Sequence, residues 1–220
     1  MQLALFDLDN TLLAGDSDFQ WGQFLIAKGL LNEKEHLARN IAFYEDYKAG
    51  RLDIHAFLDF QLKPLSAYKR SELDALHQEF MVEKIRPMIT GKARALVEKH
   101  RQNGDLLMII TATNSFVTGP IAHEFGIEHL IGTTPEEVGG EFTGKVTGTP
   151  SFQAGKIMRL NQWLAERKQS LTDFEVTWFY SDSHNDLPLM KLVDKPVAVD
   201  PDPTLKTYAE EAGWPVISLR

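Results

Sequence analysis

The stretch Phe6-Asp7-Leu8-Asp9-Asn10-Thr11 decides the fold, because it places two carboxylates directly after the short apolar run Leu3-Ala4-Leu5-Phe6. A run of that length is too short for a helix and is typical of a buried β-strand. Side chains alternate in extended backbone, so Asp7 and Asp9 can face the same way while Leu8 points into the core. Two acids this close repel each other unless a cation lies between them. The stretch therefore predicts a metal ion, or basic groups supplied by other parts of the chain.

The composition is that of an ordinary globular protein. The chain has 220 residues, 43% of them apolar, which suits one large domain or a core domain with an insertion. The formal net charge of −8 argues against a nucleic-acid partner, since nucleic-acid-binding proteins carry a basic face. The absence of cysteine excludes disulfides, thiol catalysis and cysteine-ligated zinc. No apolar stretch reaches membrane-spanning length and the N-terminus lacks a signal-peptide pattern, so we expect a cytoplasmic protein with no membrane partner.

Residues 16–84 carry helical rather than strand patterns. Capping residues and glycines divide the region into four predicted helices that begin near Asp16, Asn32, Asp53 and Ser71. We therefore expect a small helical bundle. Its aromatic residues are predicted to fill mainly the bundle core, with some lining a pocket where the bundle faces the other domain. They include Trp21, Phe43, Tyr44, Phe57 and Phe60.

From residue 85 onward, helical and strand patterns alternate, which favours a parallel sheet with crossover helices. The expected fold class is α/β, a doubly wound Rossmann-like parallel sheet with an inserted helical-bundle cap. Residues 1–15 and 85–220 would form the core domain, and residues 16–84 the cap. Within the core, the glycines between residues 137 and 149 predict a hairpin.

Three of the predicted strands end in polar clusters. The clusters are Asp7 with Asp9, Thr111 with Thr113, and Asp182 with Asp186. Each cluster alone has a structural explanation, as a turn, a helix cap or an acid at the positive end of a helix. Ligands of open α/β sheets bind at the carboxyl ends of the strands, where the three clusters would converge. Their joint occurrence favours a functional site, with Lys156 as the missing counter-charge.

These residues resemble the four motifs of the haloacid dehalogenase superfamily. The motifs are Asp7-Leu8-Asp9-Asn10-Thr11, Thr111 after a hydrophobic strand, Lys156, and Asp182-Ser183-His184-Asn185-Asp186. The helical insertion directly after the first motif is similar to that of the phosphoserine-phosphatase-like branch. The resemblance covers nearly the whole chain and implies a cap that closes over a substrate.

The resemblance implies a phosphatase that hydrolyses a small phosphomonoester through an aspartyl-phosphate. Asp7 would be the nucleophile, and Asp9 would protonate the leaving alkoxide and later deprotonate the attacking water. Mg²⁺ would be held by Asp7, the backbone carbonyl of Asp9, and Asp182, with Asp186 in support. Asp9 also argues for phosphoryl transfer over dehalogenation, because the dehalogenase branch lacks that second acid.

The resemblance likewise implies a phosphate-binding set. Thr111 would hydrogen-bond a phosphoryl oxygen, and main-chain amides from Ala112 onward would add to this. Lys156 would neutralise phosphate charge and keep Asp7 ionised. Asn185 would orient either the phosphate or Lys156.

One departure from the family bears on the substrate. In phosphoserine phosphatases the cap supplies an acid for the amino group and an arginine for the carboxylate. By spacing, Asp16 falls at the acidic position and Gln61 at the arginine position. Gln61 cannot make a charge-assisted bidentate contact, so an amino-alcohol phosphate such as histidinol phosphate suits the pair better than phosphoserine does. Lys63 or Arg51 would compensate if either pointed inward.

Three alternatives stay open at this point. The chain could be a phosphoserine phosphatase, a phosphotransferase whose acceptor is not water, or a non-catalytic protein that binds a phosphate ligand. The partner is a small phosphorylated metabolite in every case, and the oligomeric state is unknown from sequence. The complete set of acids, threonine and lysine favours an enzyme, because a site freed from catalysis need not keep its general acid.

Overall fold

A single sheet forms the centre of the molecule in the computed structural model, which describes residues 1–220. Its strands are β1 (Leu3–Phe6), β2 (Leu106–Asn114), β3 (His129–Val138), β4 (Glu141–Thr147), β5 (Thr177–Ser181), β6 (Lys195–Val199) and β7 (Val216–Ile217). The spatial order is β4-β3-β2-β1-β5-β6-β7. Every neighbouring pair is parallel except β3 and β4. The predicted α/β fold with a mostly parallel sheet is confirmed.

The central strand is β1, whose residues are completely buried. Phe6 pairs with Ile109 of β2 on one side and with Tyr180 of β5 on the other. Because the three strands run parallel and in this register, the residues that follow them emerge at one edge of the sheet. The first and last motifs and the Thr111 region therefore meet there, as the sequence predicts.

Nine helices accompany the sheet. They are α1 (Ser17–Ala27), α2 (Glu33–Lys48), α3 (Ile54–Leu62), α4 (Arg70–Phe80), α5 (Gly91–Gln102), α6 (Ser115–Glu124), α7 (Ala154–Glu166), α8 (Leu187–Met190) and α9 (Pro203–Ala212). Asp16, Asn32 and Asp53 each accept a first-turn N–H, so three of the expected helix starts are confirmed. No helix combines the length and the apolar character needed to cross a membrane.

The aromatic residues of α1 to α3 divide between core and cleft. Trp21 is 3% exposed and packs with residues of the sheet in one hydrophobic core. Phe43, Tyr44 and Phe57 line a cleft instead. Trp21 therefore has the predicted core position, and Phe43, Tyr44 and Phe57 have the pocket positions that were expected for some of these aromatic residues. Phe60 is half-buried and stacks on His36.

Two strands extend beyond the apolar runs of the sequence. β2 continues past the apolar run that ends at Ile110 and reaches Asn114, with an irregular register against β3 over that stretch. β3 continues past the short apolar pair Leu130-Ile131, through Pro135 to Val138. Its second half leaves the parallel sheet and pairs antiparallel with β4, which forms the predicted hairpin around Gly139-Gly140. A proline near a sheet edge is tolerated there, since fewer N–H groups are needed for pairing.

Candidate active site

The turn after β1 sets the direction of the first motif. Asn10 adopts a left-handed conformation (φ 56°), and its N–H donates to the Gly15 carbonyl at 2.8 Å. Leu8 and Leu12 are fully buried beneath the turn. With the leucines anchored below, Asp7 and Asp9 both line the cleft at the carboxyl edge of the sheet.

Lys156 joins the first and last motifs. Its Nζ donates to Asp7 Oδ1 at 2.8 Å and to Asp186 Oδ2 at 2.7 Å, and all three side chains are at least nine-tenths buried. Burial would lower the pKa of Lys156, but Asp186 and Asp7 raise it above its ordinary value. The lysine is therefore held as a cation. Burial raises the pKa of Asp7 to about 7, against the lowering effect of Lys156.

Asp9 is fixed by groups from two other elements. Its Oδ1 accepts the Ser17 N–H at 2.6 Å, and its Oδ2 accepts from Thr113 Oγ1 at 2.7 Å. Burial, and after it the charge of Asp16, raises the pKa of Asp9 to about 7. A carboxyl group whose pKa lies near neutrality suits a residue that must give and take a proton.

Asp182 lies next to Asp7 through a shared hydroxyl. Thr11 Oγ1 donates to Asp182 Oδ1 at 3.0 Å, lies 3.4 Å from Asp7 Oδ2, and accepts the Asp182 N–H at 3.0 Å. Burial, then the charge of Asp7, raises the pKa of Asp182 well above its usual range. Asp182 has no basic partner, whereas Lys156 serves both Asp7 and Asp186.

This arrangement fits a hard divalent cation. The buried Asp7 and the partly buried Asp182 each bring a carboxylate oxygen within 3.4 Å of Thr11 Oγ1, and oxygen is the ligand that Mg²⁺ prefers. A cation there would stabilise the ionised carboxylates against the burial and the neighbouring acids that raise the pKa of Asp7 and of Asp182. No three acidic or histidine side chains converge as a complete cage. Backbone oxygen and water would have to supply the remaining ligands, which is common for Mg²⁺.

A cleft opens above this edge of the sheet. All but one of the sequence-predicted site residues line it: Asp7, Asp9, Asp16, Gln61, Thr111, Ala112, Lys156, Asn185 and Asp186. Asp182 is the exception and lies behind the lining, in contact with Thr11. Thr111 is 1% exposed, and its Oγ1 accepts the Thr113 N–H at 3.2 Å.

Asn185 contacts helix α2 rather than Lys156. Its Oδ1 accepts from Gln153 Nε2 at 2.8 Å, and its Nδ2 donates to the Tyr47 carbonyl of α2 at 3.2 Å. The Tyr47 hydroxyl donates to Ser183 Oγ at 3.0 Å. The last motif is thus tied to α2 by two hydrogen bonds.

The cleft has a second acidic part, formed by Asp16 and Asp18 on the side of Asp9. Asp16 Oδ1 accepts the Phe19 N–H at 2.9 Å, and Gln61 is 7% exposed. Arg51 and Lys63 do not line the cleft, and both are exposed. Arg51 pairs with Asp46 at 2.8 Å. Lys156 is therefore the one basic side chain in the cleft lining, beside five aspartates.

Sequence reasoning missed several residues of this site. Thr11 lies inside the quoted first motif but was given no role, although a hydroxyl there is well placed to bridge two acids. Asp18, two residues after Asp16, is buried in the same cleft. Asn40 and Tyr47 also line it, and their spacing of seven residues on α2 was the available signal.

Known proteins agree with this architecture. The haloacid dehalogenase-like hydrolase family matches residues 4–191. A protein named histidinol-phosphatase from Neisseria meningitidis is 52% identical over 99% of both chains. A phosphoserine phosphatase of Mycobacterium tuberculosis is 31% identical over 99% of this chain and 70% of its own length. A Bordetella pertussis protein described as of unknown function superposes with a TM-score of 0.94 at 48% identity, over 100% of this chain and 99% of that one.

The chain belongs to the haloacid dehalogenase-like hydrolase family. Within that family it is a phosphatase, a phosphoric monoester hydrolase. The predicted superfamily and enzyme class are confirmed.

Proposed function

We propose that this phosphatase hydrolyses histidinol phosphate, or a closely similar amino-alcohol phosphate, through an aspartyl-phosphate on Asp7. The observation that carries the proposal is the charge pattern of the cleft. Lys156 is its one basic residue and is bound between Asp7 and Asp186, while Asp16 and Asp18 add negative charge on the side of Asp9. Such a cleft suits a phosphate at Lys156 and a cationic nitrogen group beside Asp16 and Asp18.

In the first step, a carboxylate oxygen of Asp7 forms a bond to phosphorus as the ester P–O bond breaks. Lys156 stabilises the charge on the phosphoryl oxygens, and Thr111 donates a hydrogen bond to one of them. Asp9 gives its proton to the departing alkoxide, so that an alcohol leaves. The hydrogen bonds from Ser17 and Thr113 hold Asp9 in place for that transfer.

In the second step, water attacks the phosphorus and the bond to Asp7 breaks. Asp9, now ionised, takes a proton from that water. Inorganic phosphate is released, and Asp7 is again paired with Lys156. Splitting one difficult displacement into two steps is the advantage of a covalent intermediate.

Mg²⁺ is the proposed cofactor. Asp7, Asp182 and the backbone carbonyl of Asp9 would hold it, and its charge would offset the repulsion between phosphate and carboxylate. Asp186 would act in support, since its Oδ2 is taken up by Lys156 and by Ser181 Oγ at 2.7 Å. Asp186 therefore positions the lysine in this proposal.

Residues 16–84 are proposed as the cap and residues 1–15 with 85–220 as the core domain. The contacts of Tyr47 with Ser183 and Asn185 support a cap that rests against the last motif. A cap in that position excludes bulk water from the phosphoryl group. A cytoplasmic location stays a prediction.

The substrate choice rests on the cap end of the cleft. Asp16 would bind the amino group of the substrate, and Gln61 stands where phosphoserine phosphatases place an arginine. Neither Arg51 nor Lys63 reaches the cleft to bind a carboxylate. The 52% identity to a histidinol-phosphatase supports the same choice.

Phosphoserine is the second candidate, because one relative at 31% identity is named a phosphoserine phosphatase. Transfer to an alcohol acceptor is a further alternative, and it would be recognised by transfer to an added alcohol faster than phosphate release. The cleft gives phosphoserine a site for its amino group but no cation for its carboxylate.

A panel of metabolite phosphates, assayed with Mg²⁺, tests the proposal. We expect phosphate release from histidinol phosphate by the native protein and none by Asp7→Asn, which removes the nucleophile at nearly constant shape. Substantial residual turnover by Asp7→Asn, with native-like circular dichroism, would refute Asp7 as nucleophile. A panel in which an ester without nitrogen is the best substrate would refute the proposed substrate class.

A further inference from the structure

The acidic end of the cleft contains a buried carboxylate with no cation beside it. Asp18 is 6% exposed and lines the cleft from the first turn of α1. Asp18 forms no ion pair, and its hydrogen-bond donors are the neutral amides of Asn114, whose Nδ2 lies at 3.5 Å, the outer limit for such a bond, and of Gln61. Burial, then the charges of Asp16 and Asp9, raises its pKa well above the ordinary value. An uncompensated buried acid is costly to the folded protein and calls for a partner.

A buried donor without a partner lies in the same cleft. Asn40 of α2 is 3% exposed and lines the cleft, and its Nδ2 makes no hydrogen bond. Buried amide donors are nearly always paired, so an orphaned one indicates a bound group in the working protein. The side-chain nitrogen of Asn40 donates hydrogen bonds, whereas the ionised carboxylate of Asp18 accepts them.

The packing of α1 against α2 brings these two residues to one place. Gly22 lies four residues after Asp18, on the same face of α1. A Cβ at Gly22 would lie 2.5 Å from His36 Nε2 and 3.5 Å from Asn40 Nδ2. The glycine thus lets α2 approach closely and sets Asn40 one turn from Asp18.

Flat aromatic walls border this end of the cleft. Phe43 and Phe57 both line it, and their ring centroids are 5.4 Å apart in an edge-to-face arrangement. Aromatic faces favour a planar ring over a branched or strongly hydrated group. The occupant of this end is therefore expected to be flat and to carry both a donor and an acceptor.

We propose that Asp18 and Asn40 form a subsite for the imidazole ring of the substrate and determine specificity for it. Asp18 accepts the ring N–H, Asn40 Nδ2 donates to the other ring nitrogen, and the ring lies against Phe43 and Phe57. Asp16 remains free for the amino group. The inference rests on the proposed function and names the part of the substrate that the cap recognises.

The test compares histidinol phosphate with phosphoethanolamine, which has the amine but no ring. The measured quantity is the ratio of the two kcat/KM values in the native protein, Asp18→Asn, Asn40→Leu and the control Asp59→Asn. Asp59 is an exposed acid of α3 outside the cleft. We expect the ratio to fall at least about tenfold in the first two variants, because a site built to hydrogen-bond a group discriminates strongly by it. The control should keep the native ratio.

Thermal unfolding separates recognition from structure. Asn40 Nδ2 has no partner in the free protein, so Asn40→Leu should lower the ratio without lowering the melting temperature. A lower melting temperature with an unchanged ratio would overturn the subsite. A native preference for histidinol phosphate that survives in Asp18→Asn and Asn40→Leu would overturn it too, while leaving the proposed function intact. A native protein that hydrolyses the two esters equally well would overturn the subsite but not the amino-alcohol class, and a native protein that hydrolyses neither ester would overturn both proposals.

Discussion

The two ends of the cleft differ in how fully their polar groups are paired within the protein. At the phosphate end, Lys156 donates to two carboxylates and Asp9 accepts from two donors. At the cap end, Asn40 Nδ2 has no partner and Asp18 has no cation. Groups that stabilise a transition state act best when fixed in advance. On the proposed function, the groups that act on the phosphoryl group are fixed in advance, whereas the groups that select the leaving group find their partners only when the ligand binds.

Asp9→Asn is expected to give the largest effect of the four changes that follow. Asn keeps the shape but can neither protonate the alkoxide nor deprotonate water, so kcat should fall about 10²–10⁴-fold. With p-nitrophenyl phosphate, whose leaving group needs no proton, the first step should survive and the phosphoenzyme should accumulate. Acid quench and intact-protein mass spectrometry would detect it.

The control for Asp9→Asn is Asp53→Asn, because Asn caps a helix as well as Asp does. Its activity should be native. If Asp9→Asn lowered kcat equally for histidinol phosphate and for p-nitrophenyl phosphate, and no phosphoenzyme accumulated, the proposed role of Asp9 would be contradicted.

Lys156→Met tests the pairing at the phosphate end. The change leaves Asp7 and Asp186 buried without their cation, which should reduce the free energy of unfolding by about 3–5 kcal/mol. Loss of a preorganised charge at the phosphoryl group should lower kcat about 10²–10³-fold. Urea unfolding and steady-state kinetics measure the two effects.

Lys145→Met is the matched control, since Lys145 is exposed on β4. It should alter neither stability nor turnover. Native stability in Lys156→Met would show that the ion pairs do not support the fold as described.

Gln61→Arg changes the cap end instead. An arginine there supplies the bidentate partner that a substrate carboxylate needs, and charged hydrogen bonds contribute about 1.5–3 kcal/mol. The ratio of kcat/KM for phosphoserine to that for histidinol phosphate should therefore rise roughly tenfold or more. Gln61→Leu, which removes the amide without adding charge, should not raise it. A similar rise in both variants would mean that Gln61 does not face the leaving group.

Mg²⁺ should stabilise the phosphate end by a smaller amount. At ten times its Kd the ion should add about 1.4 kcal/mol to the free energy of unfolding. For a chain of this size, that corresponds to a melting temperature roughly 3–5 °C higher. Asp182→Asn should abolish the shift, whereas Asp59→Asn should retain it. A shift that persists in Asp182→Asn would place the metal elsewhere.

The phosphate end was largely predictable from sequence because its residues follow strands. Short apolar runs predict buried strands, parallel strands share one carboxyl edge, and so Asp7, Thr111 and Asp182 had to meet there. Lys156 lies on a helix, and its place became clear only as the counter-charge of a recognised motif.

The cap end was not predictable, because it depends on how two helices pack. Asp18 and Asn40 line the same cleft because Gly22 allows α2 to approach α1 closely, and no periodicity of the sequence predicts that approach. The same limit explains Phe43 and Phe57, whose helical spacing fits a bundle core as well as a cleft. The full length of β3 was not predictable for a related reason, because near Pro135 the strand changes its partner from β2 to β4.

The most direct test is a side-by-side measurement of kcat/KM for histidinol phosphate and phosphoserine with the native protein and Mg²⁺. A cleft with one lysine for the phosphate and no cation for a carboxylate predicts a preference for histidinol phosphate of at least about tenfold. Comparable values for the two esters, or a preference for phosphoserine, would contradict the account.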